Sequence, residues 1–198
     1  MPIYALDDQT PVIDTTAYVH PSAEIIGDVI IEANCYIAPG AVLRGDFGRI
    51  HIMDHSNIQD NCVLHSFPEK DCIVSSYGHV GHAAVLHGCT LETNVLIGMN
   101  SVVMDEAIIA VNSIVAANSF VPNRFTCDPG SLIMGSPAVI KRQLSENEIQ
   151  WKRSGTDEYV ELANRYLSSI REVSRKDLPN KPSERRQSQD TYKYKPDN

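Results

Sequence analysis

Aliphatic residues recur in this chain with a period of six, and no other feature restricts its fold so tightly. Stepping by six from Val19 meets Ile25, Ile31, Ile37 and Leu43; a second series runs Ile52, Ile58 and Leu64. A third runs Leu91, Ile97, Val103, Ile109, Val115 and Val121, and one skipped step later reaches Ile133. Every one of these positions is aliphatic, although Val, Ile and Leu together make up only about a quarter of the sequence. A period of six suits neither an α-helix of about 3.6 residues per turn nor plain two-residue alternation. It suits short strands, each followed by a corner, with one aliphatic side chain per strand pointing inward. The fourth position after an anchor is compact (Ala23, Val29, Cys35, Ala41, Cys62, Ser101, Ala107, Ser113, Ser119). Gly or Asn recurs between strands, as in Pro39-Gly40, Gly98-Met99-Asn100 and Val111-Asn112, and both tolerate the backbone angles of tight corners. Three sides make one coil of a prism, and coils stack at the strand spacing of about 4.8 Å. The expected fold is all-β with a C-terminal helix: a parallel β-helix of hexapeptide repeats, each coil burying its anchors against its neighbours.

The register breaks twice, and departures from a regular scaffold are where function tends to sit. Between Leu43 and Ile52 the spacing is nine, across Arg44-Gly45-Asp46-Phe47-Gly48-Arg49. Between Leu64 and Leu86 it is 22, across a polar stretch from Ser66 to Gly78. After Val121 the pattern gives way to helix signals. Ser145 with Glu148 makes a capping box that opens a segment containing Ile149 and Trp151. Gly155 is expected to interrupt it, and Thr156 to cap a second segment whose apolar stripe includes Tyr159, Leu162, Ala163 and Tyr166. The chain thus divides into a β-helix over 1–140, a helical segment packing on it over 145–173, and a tail over 174–198. That tail has seven basic and four acidic residues and one aliphatic, Leu178, so it is expected to be disordered. The open ends and broad faces of a β-helix call for a homo-oligomer.

Composition excludes several classes. A formal charge of -8 argues against a nucleic-acid partner, which requires a basic face. No apolar run approaches the roughly 20 residues of a membrane-spanning helix. The segment from Met1 to Asp8 has neither the basic flank nor the apolar block of a secretory signal. Five cysteines without a C-x-x-C pair suit a reducing compartment, so the expected location is cytoplasmic.

Among seven histidines, three stand out. His65 closes Val63-Leu64-His65 and His87 closes Val85-Leu86-His87, 22 residues on, which is one 18-residue coil plus four loop residues. The two imidazoles therefore fall on stacked coils and can converge on one cation. His82 precedes His87 by five residues, nearly one side of the prism, and should point from another face or edge. It becomes a third ligand if two chains meet, with His82 of one facing His65 and His87 of the other. Three imidazoles and an open fourth position make the catalytic type of zinc site, and iron(II) or cobalt(II) also suits them. His20, His51, His55 and His79 read as satisfied polar groups. Arg44 and Asp46, close to the core, should pair with charges of opposite sign within the chain or across an interface. Asn57 and Gln59 flank the inward Ile58 and point outward together. An outward amide beside a metal-bound water can orient it or donate to an oxyanion, whereas Asp60 and Asn61 read as corner residues.

Leu43-Arg44-Gly45-Asp46, Asn57-Ile58-Gln59-Asp60, His65, and Gly81-His82 followed by Leu86-His87-Gly88 resemble the γ-class carbonic anhydrase superfamily. Gly45-Asp46-Phe47-Gly48-Arg49-Ile50, Ile58-Gln59-Asp60-Asn61-Cys62-Val63, Leu86-His87-Gly88-Cys89 and Gly98-Met99-Asn100 resemble, within it, the branch of phenylacetate degradation and its carnitine-operon relatives. The resemblance covers about residues 1–172. It implies a left-handed β-helix homotrimer with zinc at the subunit interfaces, metal binding by His65, His82 and His87, and an intersubunit ion pair of Arg44 and Asp46. It implies that Asn57 and Gln59 line the site, with Tyr159 of the C-terminal helix near the metal. The branch implies an acyl-CoA thioesterase in which zinc-bound hydroxide attacks the thioester carbonyl and Gln59 helps to steady the oxyanion. A γ-type carbonic anhydrase turning CO2 into bicarbonate at the same site, a non-catalytic structural subunit and a hexapeptide acyltransferase are the alternatives. The founding carbonic anhydrase carries proton-shuttling glutamates on acidic loops. Here Phe47 follows Asp46 and Glu69 is the only glutamate between Ser66 and Gly78, which disfavours fast CO2 hydration.

Overall fold

The computed structural model of the chain describes residues 2–183. Short parallel strands wind around a three-sided prism, each paired with the strand one coil away. One face stacks Tyr18, Tyr36, Asn57, His79, Leu96 and Ile114 in register. A second stacks Val42, Val63, Val85, Val102 and Phe120. The third stacks His51, Ile73, Thr90 and Ile108. The six-residue anchors fill the prism: Ile25, Ile37, Leu43, Ile52, Ile58, Leu64, Leu91, Ile97, Val103, Ile109, Val115, Val121 and Ile133 are each 0% exposed. Full burial of such a side chain contributes about 1.5–3 kcal/mol, so the column holds the coils together. The compact positions are inside as well. Ser101 and Ser119 stay satisfied there because both hydroxyls donate to the carbonyl of Ala116, at 2.9 and 2.7 Å.

Corners repeat with the strands. Asn94, Asn100, Glu106, Asn112, Asn118 and Arg124 all have φ between 58° and 62°, in the left-handed region that Asn enters at least cost. The corner asparagines also bond coil to coil: Asn94 donates to Asn112 and Asn100 to Asn118, each at 2.7 Å.

Both interruptions are narrower than the sequence suggests. The first is no loop: Val42–Ile52 is one strand that runs straight past a corner beside Glu24–Ile31, with a bulge between Gly27 and Val29. Gly45 permits this approach, since a Cβ there would lie 2.2 Å from the Asp28 carbonyl oxygen. The second is an excursion over 66–71 only; Cys72–Val74 rejoins the prism. Val74, Val80 and Leu86 resume the six-residue step there, all buried, masked in the sequence by polar neighbours.

The final coil ends in an antiparallel hairpin of Ser131–Gly135 and Ala138–Gln143. Helix α1 (Glu146–Ser169) follows. Its capping box forms as expected, with Ser145 and Glu148 satisfying each other's backbone groups. The expected break at Gly155 does not occur, and Thr156 is not a cap; its hydroxyl donates back to the Lys152 carbonyl at 3.3 Å. Gly155 faces open space and costs an interior helix position only about 1 kcal/mol, less than α1 gains by packing. That packing sets Ala163, Tyr159, Leu162 and Tyr166 on Tyr18, Tyr36 and Ala38. Residues 174–183 are exposed, with a short 3-10 turn at Arg175–Asp177; the rest of the tail lies outside the described residues. Among the described residues, no helix is long and apolar enough to cross a membrane.

Candidate metal centre

His65 and His87 are register partners on adjacent strands, Val63–His65 and Val85–His87. In each strand the leucine is buried in the prism, and alternation turns the histidine outward. His65 Nδ1 and His87 Nε2 lie 3.1 Å apart. The other nitrogen of each ring meets a carboxylate, His65 Nε2 at 2.8 Å from Asp46 and His87 Nδ1 at 2.5 Å from Asp105. A carboxylate only accepts, so in the neutral rings those nitrogens carry the hydrogens, and His65 Nδ1 and His87 Nε2 present lone pairs to each other. Facing lone pairs call for a shared proton or a cation. Two Zn–N bonds of about 2.0–2.1 Å at a tetrahedral angle separate their nitrogens by roughly 3.3 Å, close to the spacing found. Carboxylates behind both imidazoles are the usual support of metal-ligating histidines.

Within the chain, Arg44 and Asp46 pair with each other: Arg44 donates to one oxygen of Asp46 at 2.5 Å, and the other oxygen accepts from His65. Burial pushes the Asp46 carboxyl up, but hydrogen bonds from Arg44 and His65 outweigh it and hold it below the ordinary carboxylate value. His82 sits at a corner, its side chain 45% exposed, with Nδ1 at 2.7 Å from Asp60. It has the same carboxylate backing, so Asp60 is more than a corner residue. The chain does not bring His82 to the other two. Among the described residues, no group of three or more His, Cys, Asp or Glu side chains gathers into a metal-holding set within one chain.

Asn57, Gln59 and Tyr159 come together elsewhere, on the face that α1 covers. Asn57 and Gln59 do leave the prism outward, yet they are 0% and 3% exposed, because α1 lies over them. Gln59 Nε2 donates to Asn57 Oδ1 at 3.0 Å and to His79 Nε2 at 2.7 Å, which commits both amide hydrogens. The amide donor expected for an oxyanion is therefore spent inside the chain. His79 Nδ1 meets the Thr156 hydroxyl at 3.3 Å, and the ring packs edge-on against Tyr159. Burial, then the Lys152 ammonium and His82, push the His79 imidazolium down to about 3, so this ring is neutral. His51 bonds Glu32 at 2.8 Å, His55 bonds Asp54 at 2.6 Å and His20 bonds Ser22 at 2.8 Å.

The sequence pattern left Asp105 unmarked, along with the bonds that tie Asp46 to His65 and Asp60 to His82. Coil arithmetic reaches all three: Asp105 follows His87 by 18 residues, Asp46 precedes His65 by 19, and Asp60 precedes His82 by 22. An open pocket of about 410 Å³ lies beyond Gly88, lined by Glu69, Asp71 and Glu106 against one lysine, Lys70. That charge disfavours the anionic part of a CoA ester there.

A family profile described as bacterial transferase hexapeptide (six repeats) matches residues 10–45. The carnitine operon protein CaiE of Escherichia coli is 48% identical over 173 residues, covering 87% of this chain and 88% of the relative. CaiE of a Proteus species is 48% identical over 174 residues, covering 88% of each. A crystal structure of a hexapeptide transferase family protein from Anaplasma phagocytophilum superposes with a TM-score of 0.81 at 36% identity, over 84% of this chain and 98% of that one. A Bacillus cereus protein with a provisional acetyltransferase assignment gives a TM-score of 0.83 at 32% identity, over 84% of this chain and 96% of that one. Aligned almost end to end with such relatives, this left-handed β-helix belongs to the hexapeptide-repeat family that includes CaiE, within the γ-carbonic anhydrase-like superfamily.

Proposed function

We propose that the chain is a metal-dependent acyl-CoA thioesterase of the kind that serves phenylacetate degradation (the PaaY type), acting as a homotrimer whose sites are completed between subunits. One observation carries the reading: two outward imidazoles, each fixed by a carboxylate, turn their free nitrogens on a common point 3.1 Å across. A third imidazole with the same backing, His82, stands exposed at a corner. A divalent cation (zinc, or iron(II) or cobalt(II)) would be held by His65 and His87 with His82 of the partner subunit. When bound, such a cation supplies Lewis acidity and lowers the pKa of water toward about 7. The chain's own residues orient and tune the ligands: Asp46 and Asp105 select the ring tautomers, and Arg44 keeps Asp46 ionised. Hydrolysis adds water across the thioester, forming a C–O bond and breaking the C–S bond, to release a carboxylate, the CoA thiol and one proton.

The homotrimer is supported by the apolar ladder beside the imidazoles. Val42, Val63, Val85, Val102 and Phe120 stack outward on that face, with Val63 and Phe120 still 39% and 38% exposed. A second copy covering it would bury apolar area and bring a foreign corner to the site. Cys35, Cys62, Cys72, Cys89 and Cys127 are all free, which suits the cytoplasm.

The provisional acetyltransferase assignment of the Bacillus cereus relative favours a second reading, transfer of the acyl group to an amine or hydroxyl acceptor. Thiol release from aryl- and alkyl-CoA esters, with and without chelator and an amine acceptor, separates the two. Chelator-sensitive release without acceptor is expected. Release only with acceptor makes the protein a transferase, and rapid CO2 hydration with no thiol release makes it a carbonic anhydrase.

A further inference from the structure

The two ends of the prism are finished differently. At the C-terminal end the ladder passes into the antiparallel hairpin of Ser131–Gly135 and Ala138–Gln143. At the N-terminal end, among the described residues, no further strand follows. Ile3–Tyr4 and Val12–Ile13 each pair only with Glu24–Ile31, and Tyr18–Val19 only with Tyr36–Ile37, so the first coil leaves its outer strand edges open. Ile13 and Val19, the last side chains of the core column there, are only partly buried. Ile3, Tyr4, Leu6 and Val12 are exposed, and Val12, at 62%, is the most exposed of the large apolar side chains described. Helix α1 ends at the same place, with Tyr166 at 4.9 Å from Tyr18 between ring centroids, and the chain that leaves it adds exposed Ile170 and Val173. Repeat arrays stay soluble through terminal repeats with a polar outer face, and open strand edges are templates for pairing. This end has the open edges without the polar cap.

Its charges say what covers it. Residues 2–16 carry Asp7, Asp8 and Asp14 and no lysine or arginine, whereas residues 171–183 carry four basic and two acidic residues. Asp7, Asp8, Arg175 and Lys176 are all exposed. A surface with an apolar middle and opposite charges on two segments is complementary to itself after a half-turn. We infer that the N-terminal end of the prism docks against the same end of a second copy, in a two-fold contact. The acidic first coil of each copy then faces the basic 171–183 segment of the other. The contact is separate from the ladder of Val42, Val63, Val85, Val102 and Phe120, and it does not depend on the chemistry at His65 and His87. A trimer built through that ladder presents three such ends together, so end-to-end docking joins two trimers into six protomers. Three modest contacts made at once hold far better than one.

Sedimentation of the full chain gives the test. The wild type is expected at twice the mass of Leu6→Glu/Val12→Glu, which sets carboxylates in the apolar middle, with metal content and far-UV circular dichroism unchanged. Asp7→Lys/Asp8→Lys and Arg175→Glu/Lys176→Glu are each expected at the halved mass as well, because like charges then face each other. An equimolar mixture of these two variants is expected to recover the wild-type mass, since the signs match again between unlike copies. In hydrogen exchange, the amides of residues 3–19 should exchange more slowly in the wild type than in Leu6→Glu/Val12→Glu. Equal masses for the wild type and Leu6→Glu/Val12→Glu overturn the inference, as do a mixture that stays at the halved mass and equal exchange over 3–19. A wild type of three protomers leaves the trimer standing and ends this proposal alone.

Discussion

The face beneath α1 and the face that carries His65 and His87 are built from the same repeat, and both present imidazoles outward. Beneath α1 the imidazole is His79, and its neighbours within hydrogen-bond distance are Asn57, Gln59 and Thr156, all from the same chain. Tyr18, Tyr36 and Tyr166 pack there with ring centroids 4.9–5.6 Å apart, and Lys152 donates to Asn94 and to the Tyr77 carbonyl. On the other face, one nitrogen of each imidazole is fixed by a carboxylate and the other is turned toward its neighbour. A surface that the chain covers spends its polar groups on the cover. Reactive capacity stays on the surface that carries its own internal support and is left open.

Replacing a ligand should separate the faces most sharply. His87→Ala is expected to remove bound metal, by elemental analysis, and nearly all chelator-sensitive thiol release, with far-UV circular dichroism unchanged. Asp105→Asn should weaken metal affinity by roughly 10–100-fold, as loss of a supporting carboxylate does. His79→Ala should keep its metal; if it does not, the division between the faces is wrong. On the covered face the effects fall on stability instead. Tyr36→Ala removes the ring that meets Tyr18, Tyr159 and Tyr166 and should cost about 3–5 kcal/mol in urea unfolding.

The start of α1 should show a pH signature. Glu148 accepts from both Arg142 nitrogens at 2.9 Å and from the Ser145 backbone, which hold its carboxyl down to about 2 from 4.5. A depressed carboxyl stabilises the fold fully above its unfolded value and loses that contribution as pH falls from about 4.5 toward about 2. Glu148→Gln should therefore be less stable by about 2–3 kcal/mol near neutrality, allowing for the partly exposed Arg142, and the difference should close by pH 2. The smallest effect is expected at Gly155, where a Cβ meets nothing within 4 Å; Gly155→Ala should raise stability by about 0.5–1 kcal/mol with metal content unchanged.

Much of this was legible in residue order. Leu64 and Leu86 as matched anchors put His65 and His87 on neighbouring coils, because a fixed repeat turns sequence distance into spatial register. The strand at Cys72–Val74 was hidden because its polar flanks resemble a loop, and only pairing with Ile50–Ile52 reveals it. Gly155 misled because a local propensity of about 1 kcal/mol was weighed without the packing that overrides it. Gln59 was legible as an outward residue, but its accessibility was not.

Sequence by itself determined the prism: one aliphatic every six residues can be buried by short strands and corners, and by few other arrangements. It also determined that His65 and His87 share a face. Tertiary structure alone decided which outward groups stay available, because the cover comes from far along the chain. Thr156 meets His79 across 77 residues and Lys152 meets Asn94 across 58, separations that no local pattern encodes.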